Sequence, residues 1–227
     1  MKLKKKDFIE IEFTGRVKDG DIFDSNIKKD LEKSNLNFEP KPFIFSLGEG
    51  MFLKGVEDFL IDKEIGSYEL DLTSENAFGK RDPKLIQLMP MKIFREQNLN
   101  PVKGVMFNFD GRIAKVLSVS GGRIMVDFNN PVAGKDVNYK IKVIRKVDDI
   151  NEKVKAFIEF LFKRDLKFEI KDKKIIIKAE KGYDKFIELF KDKFKEVLDL
   201  EVETKEVSEK LKEEKKEPEK EDKKSQQ

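Results

Sequence analysis

The sequence predicts an α+β fold with three parts: an antiparallel β framework that carries one short helix, a small all-β insert, and a small C-terminal α/β domain. Residues 7–17 alternate apolar and polar side chains with the period of a half-buried strand. The stretch 85–130 has a composition of its own, with far fewer charges than the chain as a whole. After Asp148 the apolar spacing changes from that of a strand to that of a helix face.

The framework is predicted as short strands separated by turn residues. A turn at 18–21 leads into a strand at 22–24, and the polar stretch 27–41 is expected to be a loop or bulge. A strand at 42–47 precedes a short helix, which has apolar residues at 52, 53, 56, 59 and 60 and which we expect Gly66 to end. Strands at 67–73 and 136–147 complete the framework.

The insert, residues 85–130, is predicted to be a separate module. Its 46 residues hold nine charged and 22 hydrophobic side chains, and four of the six methionines of the chain. Asp110-Gly111 between apolar runs is a strong hairpin signal, and Gly121-Gly122 marks a second turn. These signals predict a small all-β domain.

The C-terminal segment, residues 150–205, is predicted to be an α-β-β-α-β unit. Helical stripes cover 154–162 and 183–194, with strands at 166–170, 174–179 and 197–202. The run from Ile175 to Ile177 is most simply a buried strand. An edge strand that pairs with a second copy is the alternative, and on that basis we expect a homodimer.

Composition excludes several classes of function. Charged residues make up 41% of the 227 residues, but 48 basic and 45 acidic residues leave a net charge of only +3, which argues against a nucleic-acid binder that depends on bulk positive charge. Without Cys or His there is no thiol catalysis, Ser-His-Asp triad or Cys/His zinc site. No metal, cofactor or membrane partner is expected. No apolar run approaches the ~18 residues of a membrane span and no signal peptide is visible, so we expect a soluble cytoplasmic protein.

Residues 206–227 carry 15 charges and are expected to form a flexible tail.

An ordered series of short motifs resembles the FKBP-type peptidyl-prolyl isomerases. The series is Phe13-Thr14-Gly15, Asp19-Gly20, Phe23-Asp24-Ser25, residues 42–48, residues 52–57 and Ala77-Phe78-Gly79. The insert resembles the insert-in-flap domain of SlyD-like members, and the whole chain is similar to the long archaeal FKBP class. The resemblance implies an isomerase domain formed by 1–84 and 131–149, followed by the 150–205 domain.

The resemblance also implies the fold and the site of the isomerase domain. The family has a bent antiparallel half-barrel crossed by a helix, with its pocket between helix and sheet. Carried over by position, the catalytic residues are Phe13, Phe23, Asp24, Phe43 and Phe78, and the substrate-binding residues are Phe52, Leu53, Val56 and Tyr139. Without the resemblance, the apolar members of this set are ordinary core residues, and Asp24 is equally well a turn cap.

The implied chemistry needs no nucleophile and no cofactor. Rotation about an X-Pro bond crosses a barrier of ~18–20 kcal/mol because amide resonance must be lost. A dry aromatic box of Phe13, Phe43, Phe52 and Phe78 would favour the twisted amide, while the Leu53 N–H would bond the carbonyl beyond the proline. Three residues depart from the family pattern: Val56 stands where many members have Trp, and Phe13 and Phe78 each replace a common Tyr.

The insert suggests a second activity, the binding of unfolded chains. Flexible methionine side chains suit surfaces that bind many partners. The predicted chaperone surface consists of Met89, Met91, Ile93, Phe94, Val102, Val105 and Met106. The alternative is that about half of these residues form the core of the insert.

Three functions therefore compete. The first is a peptidyl-prolyl isomerase that also acts as a chaperone for unfolded or nascent polypeptides with X-Pro bonds. The second is a non-catalytic chaperone or adaptor with the same pocket. The third is a nucleic-acid-associated protein, which the interleaved Lys and Glu of the tail argue against.

Overall fold

The computed structural model describes residues 2–34 and 39–206 and divides them into two compact units. The N-terminal unit ends at Val147 and the C-terminal unit begins at Asp148. None of the helices described in these ranges is long and apolar enough to cross a membrane.

The N-terminal unit is built on a five-stranded antiparallel sheet. Its chain-ordered elements are β1 (Phe8–Val17), β2 (Ile22–Ser25), α1 (Lys28–Ser34), β3 (Phe43–Ser46), α2 (Lys54–Leu60), β4 (Ser67–Leu72), β5 (Ile86–Pro90), α3 (Met91–Glu96), β6 (Met106–Phe109), β7 (Arg112–Ser120), β8 (Arg123–Asp127) and β9 (Val137–Lys146). The strands of the main sheet run in the order β2-β1-β9-β4. Strand β3 pairs with the first half of β1, residues Phe8 to Ile11, whereas β2 pairs with the second half of β1. The long strand β1 therefore pairs with three of the other four strands, and β4 is joined to the sheet through β9.

Most of the predicted framework strands are confirmed, but two local predictions are wrong. Helix α1 lies within the stretch that was expected to be a loop or bulge. It was missed because Leu31 is its only buried residue, so it has no apolar periodicity. Helix α2 ends at Leu60 rather than at Gly66, and the left-handed residue that follows it is Asp62, with φ 66°.

Helix α2 is tied to the preceding loop by a buried carboxylate. Glu57 is 1% exposed and accepts hydrogen bonds from the backbone N–H groups of Gly50, at 3.1 Å, and Phe52, at 2.6 Å. Hydrogen bonds to a charged acceptor are stronger than neutral ones. This carboxylate therefore holds the loop that presents Phe52 against the first turns of the helix.

The insert is a four-stranded antiparallel sheet in the order β5-β8-β7-β6, with a helix on one face. Phe94 of α3 is fully buried in a core with Ala114, Val116, Ile124 and Val126. The expectation of an all-β insert is wrong because of this helix. With six residues and a single buried side chain, α3 is too short to produce a recognisable stripe in the sequence.

In residues 148–206, the described part of the C-terminal unit, there are three helices and a three-stranded sheet. Its elements are α4 (Ile150–Phe162), β10 (Phe168–Lys171), β11 (Lys174–Ala179), α5 (Asp184–Glu188), α6 (Lys191–Leu198) and β12 (Glu201–Glu206). The predicted second helix is split into α5 and α6, and the third strand lies later than expected because α6 occupies residues up to Leu198.

The strand order of the C-terminal sheet decides between the two interpretations of the isoleucine run. The order is β10-β11-β12, so Ile175 and Ile177 lie in the central strand and are fully buried. The interpretation of this run as an edge strand is wrong. Glu206 closes β12, and the rest of the predicted tail, 207–227, lies outside the described residues.

Candidate functional site

A cluster of aromatic rings lies between the central strands and the loop before α2. The ring of Phe13 contacts those of Phe43 at 5.6 Å, Phe52 at 5.1 Å and Tyr139 at 6.2 Å between centroids. Phe52 also contacts Phe43 and Tyr139, at 5.2 and 5.7 Å. Tilted and edge-to-face arrangements such as these stabilise an aromatic cluster. Side chains from β1, β3, β9 and the loop thus converge on one place.

Two further rings extend the cluster on the side of β2. Phe23 contacts Tyr139 at 5.9 Å and Phe78 at 5.4 Å, both edge to face. Phe78 follows the short helical turn Ser74–Asn76, beyond the end of β4. The structure therefore joins all six aromatic residues that were predicted for the pocket through ring contacts.

Burial divides the cluster into a floor and a rim. Phe13 and Tyr139 are 5% and 0% exposed, and Val56 on α2 is also fully buried. The other four rings and Leu53 are half-buried, so they form an apolar surface that solvent reaches. Leu53 lies at the N-cap of α2, immediately after Phe52. An apolar surface that solvent reaches in part is able to bind an apolar ring.

Gly15 makes room for Tyr139. In the sheet register, Gly15 lies opposite Asp24 of β2 on one side and opposite Tyr139 of β9 on the other. A Cβ atom at Gly15 would lie 2.9 Å from Cε1 and Cζ of Tyr139, and 3.1 Å from the ring of Phe23. The ring of Tyr139 therefore lies over the glycine. Glycine within a strand signals such a close approach, but the sequence does not show which ring approaches.

Asp24 is the ionisable group of the cluster. Burial raises its pKa from 3.8 to about 6, and a hydrogen bond from the Ser25 backbone offsets this only in part. The recorded ion pairs of the described residues include none to Asp24. The carboxyl group is thus held in a poorly solvated position without a compensating cation.

Tyr139 carries a buried hydroxyl group that has no hydrogen-bond partner among the described residues. Its pKa is raised, mainly by burial and further by the charge of Asp24. Buried polar groups without partners are uncommon in folded proteins. In the free protein this hydroxyl therefore makes no hydrogen bond to another described residue, although the charge of Asp24 acts on it.

Several polar residues that the sequence did not indicate hold β1 and β2 in place. The side chain of Asn26 accepts a hydrogen bond from the Phe13 N–H at 2.8 Å and donates one to the Ile11 carbonyl at 2.9 Å. The Ser25 hydroxyl donates to the Phe13 carbonyl at 2.9 Å, and Thr14 donates to Asp30 of α1. These bonds fix the backbone that carries Phe13 and Asp24.

The insert presents an open apolar sheet face. Leu88 lies opposite Met125, and the register places Met106 and Ile113 on the same face, away from the α3 core. These four side chains are 39–56% exposed. We call them the open face of the insert.

The predicted chaperone surface is only partly exposed. Val102, Val105 and Met106 are exposed, whereas Met89, Met91 and Ile93 are half-buried. Phe94 is not a surface residue, because its ring forms the centre of the insert core and contacts Phe107 and Phe109. Leu88 and Ile113 were missed because only the sheet register shows that they share a face with Met106 and Met125.

The two segments that connect the insert to the main sheet are bonded to each other. We call residues 79–85 and 127–134 the neck. Backbone bonds join Gly134 to Gly79 at 2.8 Å and Phe128 to Leu85 at 3.0 Å, and the Asn129 side chain bonds Asp82 in both directions.

Asp127 is the centre of the polar contacts in the neck. It accepts hydrogen bonds from the Arg81 guanidinium and from the Asn129 backbone and side chain. Burial alone would raise the pKa of Asp127, but the Asn129 hydrogen bonds and the Arg81 charge together hold it below 3.8.

Comparisons with known proteins agree with this architecture. The sequence model of the FKBP-type peptidyl-prolyl cis-trans isomerases matches residues 1–94, and that of the FKBP26 IF domain matches residues 87–132. The "Short-type peptidyl-prolyl cis-trans isomerase" of Methanocaldococcus jannaschii is 29% identical over 62% of this chain and 92% of its own length. The "FKBP-type 16 kDa peptidyl-prolyl cis-trans isomerase" of Escherichia coli is 30% identical over 46% of this chain and 73% of its own length.

The chain belongs to the FKBP-type peptidyl-prolyl cis-trans isomerases. These comparisons confirm the predicted family and enzyme class. They do not support the interpretation of the chain as a non-catalytic adaptor. The SlyD-like character is supported by a SlyD of Aeromonas hydrophila, which is 24% identical over 63% of this chain and 64% of its own length. A solved structure of the three FKBP domains of wheat FKBP73 matches 66% of this chain and 42% of its own chain, at 14% sequence identity. Its TM-score of 0.35 is too low to support a conclusion about the fold.

Within this FKBP-type chain, the aromatic cluster holds few hydroxyl groups. Phe13 and Phe78 carry none, and the one phenolic hydroxyl in the aromatic cluster belongs to Tyr139. Val56 leaves a small aliphatic side chain at the buried floor.

Proposed function

We propose that the aromatic cluster is the catalytic pocket of this isomerase. The observation that carries the proposal is the convergence of six rings, four of them half-buried, together with the desolvated Asp24 carboxylate whose charge acts on Tyr139. A proline ring would bind among Phe13, Phe43, Phe52 and Phe78, where the surroundings are apolar. Because the twisted amide is less polar than the planar one, such surroundings lower the barrier.

The polar groups of the pocket would orient the substrate. Asp24 lies at the pocket wall, where its carboxylate would face the substrate carbonyl. The Leu53 N–H would bond the carbonyl beyond the proline, since the hydrogen bonds recorded for the described residues leave it without an acceptor. Each tenfold acceleration requires about 1.4 kcal/mol of preferential binding to the twisted state, a magnitude within reach of one or two such contacts.

Substitution of two pocket residues tests this proposal. Asp24→Ala and Phe78→Ala are each expected to lower kcat/KM for a short proline peptide about tenfold or more, because one removes the carboxylate and the other a wall of the box. Circular dichroism should show an intact fold.

Two matched variants serve as controls. Asp21→Ala removes an exposed carboxylate from the turn before β2, and Phe59→Ala removes a half-buried ring of α2 outside the cluster. Unchanged kcat/KM in both Asp24→Ala and Phe78→Ala would refute the site.

We further propose that the insert, residues 85–130, is a chaperone domain whose open face binds unfolded chains. Exposed apolar side chains that share one face are a typical feature of interaction sites. An adjoining cleft of about 120 Å³ is lined by Met106 and Ile113 together with Arg81, Lys115 and Lys135. Its basic rim, with the insert's excess of basic over acidic residues, favours clients that carry acidic segments.

Deletion of the insert should separate the two activities. Because the Gly134 N–H bonds the Gly79 carbonyl at 2.8 Å, outside the deleted residues, residues 85–130 can be replaced by a short glycine linker. We expect refolding of a proline-limited protein to slow much more than isomerisation of a short peptide. An equal loss on both substrates would contradict a separate chaperone domain.

A surface variant removes the open face without removing the domain. Leu88→Ser, Met106→Ser and Ile113→Ser combined should weaken the binding of an unfolded client, because they replace exposed apolar area. Ile65→Ser, at a 51% exposed position outside the insert, is the matched control. Equal client binding by both variants would exclude the open face.

We also propose a cytoplasmic homodimer that assembles through the C-terminal unit. Leu189 is 76% exposed and Phe186 is 40% exposed, an unusual pair of apolar side chains for a free surface. Light scattering at micromolar concentration tests this, and a monomer mass would refute it.

A further inference from the structure

The geometry of the pocket directs the Tyr139 hydroxyl toward the strand that carries Asp24. Tyr139 and Asp24 are the two register neighbours of Gly15, on opposite sides of it. Because Gly15 has no side chain, the tip of the Tyr139 ring lies over it, with Cζ 2.9 Å from the position of a glycine Cβ. The hydroxyl extends from Cζ, so it continues across Gly15 in the direction of β2.

In the free fold this hydroxyl donates to no acceptor among the described residues, although Tyr139 is fully buried. Asp24 is half-buried, so water still solvates part of its carboxylate. A proline ring that fills the box removes this water. The carboxylate then needs another donor, and catalytic hydrogen bonds that are long in a free enzyme commonly tighten in the complex.

We propose that Tyr139 is the positioning residue for Asp24, and that its hydroxyl donates a hydrogen bond to the Asp24 carboxylate when a proline-containing segment occupies the pocket. Tyr139 thereby provides from β9 the phenolic hydroxyl that Phe13 on β1 cannot provide. The inference rests on the proposed catalytic role of Asp24.

A double-mutant cycle on kcat/KM for a short proline peptide tests the proposal. Tyr139→Phe is expected to lower kcat/KM about 5- to 20-fold, the effect of one hydrogen bond to a charged group. In the Asp24→Ala background the same substitution should change kcat/KM less than twofold, because the acceptor is absent. Tyr68→Phe is the matched control, since its hydroxyl bonds the Glu64 carbonyl at 2.7 Å outside the pocket.

Two further readouts separate positioning from a structural role. Since the hydroxyl has no partner in the free fold among the described residues, Tyr139→Phe should not lower the thermal midpoint. Because the hydrogen bond is absent from the free protein and forms in the complex, part of the loss should appear as a weaker Kd of the peptide. The chain has only three tyrosines, so the contribution of Tyr139 to the near-ultraviolet difference spectrum on peptide binding can be identified by comparison with Tyr139→Phe.

The possible failures are distinguishable. If Asp24→Ala is as active as the unmodified protein, both the role of Asp24 and this inference are wrong. If Asp24→Ala is slow but Tyr139→Phe is fully active, only this inference is wrong. If Tyr139→Phe causes the same loss whether or not the Asp24 carboxylate is present, the hydroxyl acts directly on the substrate and the inference is overturned.

Discussion

At the scale of single residues, the pocket places Asp24 where its charged form is disfavoured. Its pKa in the fold is about 6, above the 3.8 of an unperturbed aspartate. Between these values the folded state holds a proton that the unfolded state has released. The contribution of Asp24 to stability is therefore fully present below about pH 4 and is lost as the pH rises through 6.

Asp24→Asn should remove the loss of folding stability that accompanies ionisation of Asp24. At pH 4 the variant and the unmodified protein should have nearly equal free energies of unfolding, and at pH 8 the variant should be more stable by about 2 kcal/mol. Urea denaturation at the two pH values measures this, with Asp21→Asn, an exposed carboxylate, as the control. A gain of the same size at pH 4 and pH 8 would show that charge is not the cause. Lower activity in the stabilised variant would be consistent with a strained catalytic group.

Most residues of the proposed pocket lie in the ordered motifs, but their relations to one another cannot be derived from those motifs. The motif that contains Phe13 and Gly15 and the motif that contains Asp24 are legible in the sequence. The position of Tyr139 over Gly15 depends on the pairing of β1 with β9, strands more than 120 residues apart in the chain. Cross-strand register of this kind is set by tertiary packing, so no local pattern shows it.

At the scale of elements, the long amphipathic segments were predictable and the short ones were not. Helix α4 buries Val154, Phe157, Ile158 and Phe162, a repeat that is visible in the sequence. Helices α1 and α3 each bury a single residue, Leu31 and Phe94, and so lack a period. Their positions depend on contacts with the sheet each covers, such as the bond between Asp30 and Thr14.

The neck is the element whose loss should affect the insert alone. Asp127 is 7% exposed and accepts three hydrogen bonds, so Asp127→Ala would leave three donors without their acceptor. We expect the insert to lose roughly 2–3 kcal/mol of stability and its amides in β5–β8 to exchange faster with deuterium.

Glu96→Ala is the control for this change. It removes a 60% exposed ion-pair partner of Lys92 in the same insert, and we expect little effect from it. Isomerisation of a short peptide should be unchanged in both variants because the aromatic cluster lies outside the neck. Exchange rates in Asp127→Ala that match those of Glu96→Ala would contradict the role of the neck.

At the scale of the whole molecule, the division between Val147 and Asp148 has a consequence for function. The aromatic cluster, from Phe13 to Tyr139, lies entirely within the N-terminal unit. The C-terminal unit has its own core, in which Phe157 and Phe194 are fully buried and their ring centroids lie 5.0 Å apart. The apolar period of the sequence changes after Asp148, next to this division.

A truncated chain that ends at Val147 should therefore remain an isomerase. We expect its kcat/KM for a short proline peptide to lie within twofold of the full chain, since no pocket residue is removed, and light scattering should show a monomer if the C-terminal unit forms the dimer. A chain that ends at Glu206 is the matched control, because it lacks the charged segment 207–227 but keeps the C-terminal unit. It should have the oligomeric state and activity of the full chain. A tenfold loss of activity in the shorter truncation, with its circular dichroism intact, would show that catalysis requires residues beyond the pocket described above.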